Sequence, residues 1–126
     1  MSGTGLSGTR VLLVFAGGTV GSAVRIALQA LIDPVVPWLA LPLVNVLGSF
    51  LLGVTVALAS KRVPERAAVM SAFWGTGMMG GFTTYSALAV FSLDPAALPV
   101  SALTVVAGLG AAVAGLMLAR PRKARA

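Results

Sequence analysis

Four glycines, Gly75, Gly77, Gly80 and Gly81, fall within seven residues of one apolar stretch, and Thr83, Thr84 and Ser86 follow directly. Glycine weakens a helix interior, so the cluster predicts a place where the backbone unwinds. Unwound backbone at bilayer depth is tolerated only where protein buries it or where it lines a polar cavity. Freed carbonyls there can hold a small cation, and the hydroxyls just past the glycines can donate to an anion. Tyr85 adds an electropositive ring edge and a phenol. The chemistry implied is the binding and passage of ions. The plainer alternative is a glycine-rich packing face on an unbroken helix, with Met78 and Met79 as filler.

Among the other polar residues inside the apolar stretches, Asn45 and Arg25 stand out. Asn45, within Leu43-Val44-Asn45-Val46-Leu47-Gly48-Ser49-Phe50, is an amide with two donors that must find partners at that depth. It either joins helices or serves as an uncharged donor that binds an anion without trapping it. Gly48 and Gly53 on the same stretch would let a neighbouring helix approach closely. Arg25 is the one charged residue within a span, and its sign suits an anion. A charge there costs a few kcal/mol on insertion scales, so it should face a water-filled vestibule or a partner. The alternative is snorkelling, since Arg25 is about eight residues, or roughly 12 Å, from its helix end. Ser101 and Thr104 share a helix face and either extend a polar track or bond their own backbone. Gly108 and Gly115 favour a close helix contact.

All three acids, Asp33, Glu65 and Asp94, lie in links between the apolar stretches. Proton-coupled export of cations needs an intramembrane carboxylate, so the small multidrug-resistance transporters fit poorly. Cysteine and histidine are both absent, which removes thiolate and imidazole chemistry. With no base, nucleophile or metal cluster to hand, the expectation is that the chain is not an enzyme.

The elements that must position these residues follow from composition. Of 126 residues 58% are hydrophobic and only 10% charged, with a mean hydropathy of +1.00. Such a chain cannot cover itself with a polar surface, so the bilayer is its solvent. Spans are expected over about 11–32, 38–60, 67–91 and 96–119, each near the twenty residues that cross a bilayer. Each link carries a proline, at Pro34 and Pro37, Pro64, and Pro95. The fold class is therefore all-α: a single integral membrane domain of four transmembrane helices with a break in the third. A cleaved signal peptide ending near Gly21-Ser22-Ala23 is the rival reading of the N-terminus, but three more spans follow it.

Charge placement sets the orientation. Of nine Lys and Arg, eight lie on one side: Arg10, Lys61, Arg62, Arg66, Arg120, Arg122, Lys123 and Arg125. The opposite links have none. This predicts both termini in the cytoplasm of a multi-pass inner (plasma) membrane protein. The net charge of +6 thus speaks for topology rather than nucleic acid, with the tail from Arg120 to Arg125 also suited to anionic lipid.

Three motifs occur in order: Gly17-Gly18-x-x-Gly21-x-x-x-Arg25, Val44-Asn45-x-x-Gly48-Ser49-Phe50, and Gly80-Gly81-Phe82-Thr83-Thr84-Tyr85-Ser86. Together, and across essentially the whole chain, they resemble the Fluc/CrcB fluoride channels. The resemblance implies an antiparallel dimer with two narrow fluoride pathways, through which fluoride leaves the cytoplasm down its gradient. It also implies a structural, non-transported sodium ion at the dimer axis, held by the backbone carbonyls of Gly80 and Thr83. Asn45, Thr84, Tyr85, Ser86 and Thr104 fall on the fluoride pathway, and Arg25 in the vestibule.

The sequence also departs from that pattern. Where the family usually has two phenylalanines three apart, it has Tyr85 and Leu88. Phe91 replaces a common glutamate, Val100 takes the usual tyrosine position, and the serine track is reduced to Thr104. A chain that inserts both ways should also lack a strong basic bias. The expectation is one half of a heterodimer with a related subunit of opposite orientation. The alternative is a non-conducting structural or regulatory subunit.

Overall fold

The computed structural model describes residues 7–120, and every regular element among them is helical. Helix α1 is Gly8–Ile32, α2 Ala40–Ala59, α3 Pro64–Met70, α4 Gly80–Phe82, α5 Tyr85–Phe91 and α6 Leu98–Ala119. Between α3 and α4, Ser71–Met79 is wound as a wider π-helix. Arg122, Lys123 and Arg125 lie outside the described residues.

Local signals start these helices where the sequence places them. Ser7 caps α1 by accepting from the Arg10 N–H at 3.2 Å. Pro64 opens α3, where its missing N–H costs nothing, and Glu65 in the first turn complements the helix dipole. Asp94 accepts from the Ala96 N–H at 2.9 Å and turns the chain into α6. At about 1.5 Å per residue α1, α2 and α6 are each roughly 30 Å or longer, and all three are apolar enough to cross a membrane. The third apolar stretch, between α2 and α6, is wound as the composite of α3, the π-helix, α4 and α5.

Burial runs opposite to that of a water-soluble bundle. The core holds Ala40 and Val44 at 0% exposure and Ala57 at 1%, while Leu31 and Leu118 stand 72% and 77% exposed. Large apolar side chains outside and small ones inside are what lipid-facing helices require, since close backbone approach supplies the packing. α2 lies along α6, and α1 along the π-helix and α4. In the second pair a Cβ on Gly77 would sit 2.8 Å from Val14 O and 3.1 Å from Gly17 Cα. Gly21 and Gly81 abut Met78 and Gly18 backbone in the same way. In the first pair Gly53 and Gly115 abut the carbonyls of Ala112 and Phe50.

The glycine cluster does not itself unwind, which corrects the expected position of the break. Its residues remain wound, with the Gly80 N–H reaching Gly75 O in the wide register. Winding is lost a few residues later. Thr83 (φ −84°, ψ 158°) and Thr84 (φ −149°, ψ 114°) are both extended, and α5 starts afresh at Tyr85. Gly77 and Gly81 thus pack against α1, but the segment is not an unbroken helix, since Thr83 and Thr84 are extended.

Candidate ion-binding groove

The extended pair is held from α2. Asn45 Nδ2 donates to Thr84 O at 3.3 Å, and the Thr84 N–H donates to Asn45 Oδ1 at 2.8 Å. One side-chain amide thus takes over both peptide groups of an extended residue, which at this depth have no water to turn to. In a continuous helix the Thr84 N–H would bond Gly80 O, four residues back. Gly48, one turn along from Asn45, provides the room, since a Cβ there would meet Thr83 Cγ2 and sit 3.1 Å from Phe82 Cδ1. Asn45 therefore joins two elements, and it also faces an open space.

That space is a groove of about 370 Å³ between α2, the extended pair, α5 and α6. Asn45, Ser49, Thr84, Tyr85, Leu88 and Thr104 are on its walls. Most hydroxyls there are turned back onto their own helices. Ser49 donates to Asn45 O at 2.8 Å, Thr83 to Met79 O at 2.8 Å and Thr104 to Val100 O at 2.7 Å. Three donor groups remain for a ligand: the second N–H of Asn45, the Thr84–Ser86 hydroxyl pair, 3.3 Å apart, and the Tyr85 phenol. Thr84 Oγ1 also caps α5 by accepting from the Ala87 N–H at 3.2 Å. Ser86 reaches the groove only through Thr84. Tyr85 stands at its edge, 83% exposed, while Leu88 is 7% exposed.

Arg25 is elsewhere. It is half-buried on α1, and its Nε donates to Gly81 O at 3.1 Å, beside Ser22 Oγ at 3.3 Å. Its Nη1 lies 3.5 Å from Gln29 Oε1. Gly81 O is a carbonyl left over where the winding stops, and a cation at a helix C-terminus is favoured by the dipole. Neither a vestibule nor a snorkelling role called for this contact. Ser22 and Gln29 were missed as partners, although their spacing of three and four residues from Arg25 puts all three on one face.

Gly80 and Thr83 border a second hollow of about 350 Å³, with Gly48, Ser49, Gly75 and Thr76. Among the described residues, nothing outside its own helix backbone and chain neighbours lies within 4 Å of where a Gly80 Cβ would point. Among the described residues no group of three or more His, Cys, Asp or Glu could hold a metal ion. The oxygens at this hollow are neutral backbone and hydroxyl groups, a donor set that suits a hard alkali cation better than a transition metal.

Comparison with known proteins covers the same ground. The family described as CrcB-like protein, Camphor Resistance (CrcB), matches residues 12–119. A fluoride-specific ion channel FluC from Deinococcus radiodurans is 43% identical over 114 residues, 81% of this chain and 88% of the relative. The FluC of Agrobacterium fabrum is 38% identical over 121 residues, covering 87% and 95%. That of Caulobacter vibrioides is 34% identical over 125 residues, covering 88% and 95%. The match runs through every span and through the groove, and the chain belongs to the CrcB-like family of membrane channels.

Proposed function

We propose that the chain is a subunit of a passive fluoride channel of the inner membrane, which lets fluoride leave the cytoplasm and so lowers its toxicity. The observation that carries this reading is the double hydrogen bond between Asn45 and Thr84, which sets a neutral donor on a narrow groove. A permeating anion must exchange its hydration shell for donors strong enough to admit it and weak enough to release it. Asn45 and the Thr84–Ser86 pair meet that need without a fixed charge, and no acidic side chain lines the groove to oppose an anion. The names of the relatives supply the choice of fluoride.

The groove is open along one side of the chain, and Tyr85 and Gly80 both face outward. A second chain in opposite orientation would close it. The carbonyls of Gly80 and Thr83 would then meet an equal pair across the axis, a set suited to one structural sodium ion. That ion would supply a fixed positive charge joining the two interruptions. Lys61 and Arg62 between α2 and α3, and Arg66 in α3, are all exposed, and this basic end favours a cytoplasmic position for itself and for both termini.

Such a bias favours a related partner over an identical one. A non-conducting subunit is the second reading, and Leu88 favours it, since an aliphatic side chain fills the wall where a ring edge is expected. Fluoride efflux from liposomes separates these cases. The heterodimer predicts little flux from this chain alone and robust flux with a related four-span subunit of the same host. Robust flux from the chain alone would rule out obligate pairing.

A further inference from the structure

A hollow larger than the groove lies at the start of the third crossing, and the channel reading does not use it. Arg62, Glu65, Arg66, Val69, Met70 and Trp74 enclose about 430 Å³ there. Its upper wall is charged, with Arg62 and Arg66 both exposed. Its lower wall is apolar: Val69, Met70 and Trp74 follow one side of α3 into the π-helix, with Trp74 47% exposed. The two halves therefore match two different media. Arg62 and Arg66 sit at the end of a hydrophobic span, where phosphate headgroups lie, and Trp74 is an aromatic about two turns deeper.

We propose that this hollow is a binding site for one anionic phospholipid, its phosphate held by Arg62 and Arg66 and its acyl chain laid along Val69, Met70 and Trp74. Charge complementarity selects the headgroup, because two guanidiniums face one carboxylate, Glu65. Guanidinium forks match phosphate oxygens in geometry as well as charge. The apolar floor selects a lipid over a soluble phosphate, which has nothing to place against Trp74. Glu65 disfavours a doubly charged phosphate monoester more than the singly charged phosphodiester of a lipid. Basic hollows beside membrane helices on the cytoplasmic face are suited to such headgroups.

The test uses the full chain in detergent, with native mass spectrometry following bound phosphatidylglycerol, phosphatidylcholine and glycerol phosphate. Phosphatidylglycerol is expected to be retained at one per chain and to outcompete phosphatidylcholine. In R62Q/R66Q that retention should fall about thirtyfold, in line with two headgroup-level charges lost. The control R10Q/K61Q removes two exposed charges outside the hollow and should retain the lipid. Trp74→Ala should weaken phosphatidylglycerol retention without creating affinity for glycerol phosphate. Circular dichroism on each variant shows whether the helices persist, and the single variants R62Q and R66Q replace any double that loses them. Equal retention of the two lipids, equal loss in the control pair, or binding of glycerol phosphate as tight as the lipid would each overturn the proposal.

Discussion

At the scale of single residues, Asn45 carries two duties that substitution can separate. Asn45→Asp keeps an oxygen for the Thr84 N–H but replaces the donor with a carboxylate, which repels an anion. We expect the helical content to persist while fluoride flux falls tenfold or more, measured with a fluoride electrode on liposomes carrying a conducting assembly. Asn45→Ala removes both bonds and leaves two half-buried peptide groups without their side-chain partner, at a cost of up to about 1–3 kcal/mol. Thermal unfolding in detergent should therefore separate Ala from Asp, with Ala the less stable. The type and depth of Asn45 were legible in the sequence. Its partner was not, because Thr84 lies 39 residues away and only the fold brings the two together. Arg25 teaches the same lesson: an intramembrane charge announces a partner without naming it, and here the partner is the Gly81 carbonyl.

At the scale of elements, the four apolar stretches fall on helical segments whose ends differ from the expected bounds by a few residues. The expected 67–91 begins at Pro64, and the expected 38–60 spans Ala40–Ala59. The interruption was displaced, for a physical reason. Glycine lowers the cost of unwinding but also permits backbone-to-backbone packing, and α1 claims the latter at Gly77 and Gly81. Winding is lost instead where Asn45 offers a better partner for the Thr84 peptide than the helix does. Gly77→Ala should accordingly be destabilising, since Val14 O and Gly17 Cα are backbone and cannot swing aside. Gly110→Ala is the matched control, with nothing within 4 Å and up to about 1 kcal/mol of helix propensity to gain. Melting temperatures should move in opposite directions. Similar losses in both would show that glycine content, not the α1 contact, holds the pair together.

At the scale of the whole molecule, the proposed dimer makes a claim about the surfaces of the single chain. The core of that chain is rich in small residues, its groove is open on one side, and Gly80 is exposed on the hollow it borders with Gly48, Ser49 and Thr83. A Gly80→Ala chain should keep its helices, because no atom of its own obstructs the added methyl. If Gly80 meets a partner across an axis, the same change should shift the purified protein from dimer to single chain on size-exclusion chromatography. Elution unchanged from the parent would place the pairing surface elsewhere.

The claim on which the rest depends is that fluoride passes Asn45. It is tested most directly in the native host, where any natural partner is present, by comparing growth under fluoride for three strains: parent, deletion of this gene, and an Asn45→Ala allele. The account predicts that the Asn45→Ala strain is as fluoride-sensitive as the deletion, with the altered protein still present in the membrane. An Asn45→Ala strain as resistant as the parent, against a sensitive deletion, would contradict it and leave the chain a structural subunit.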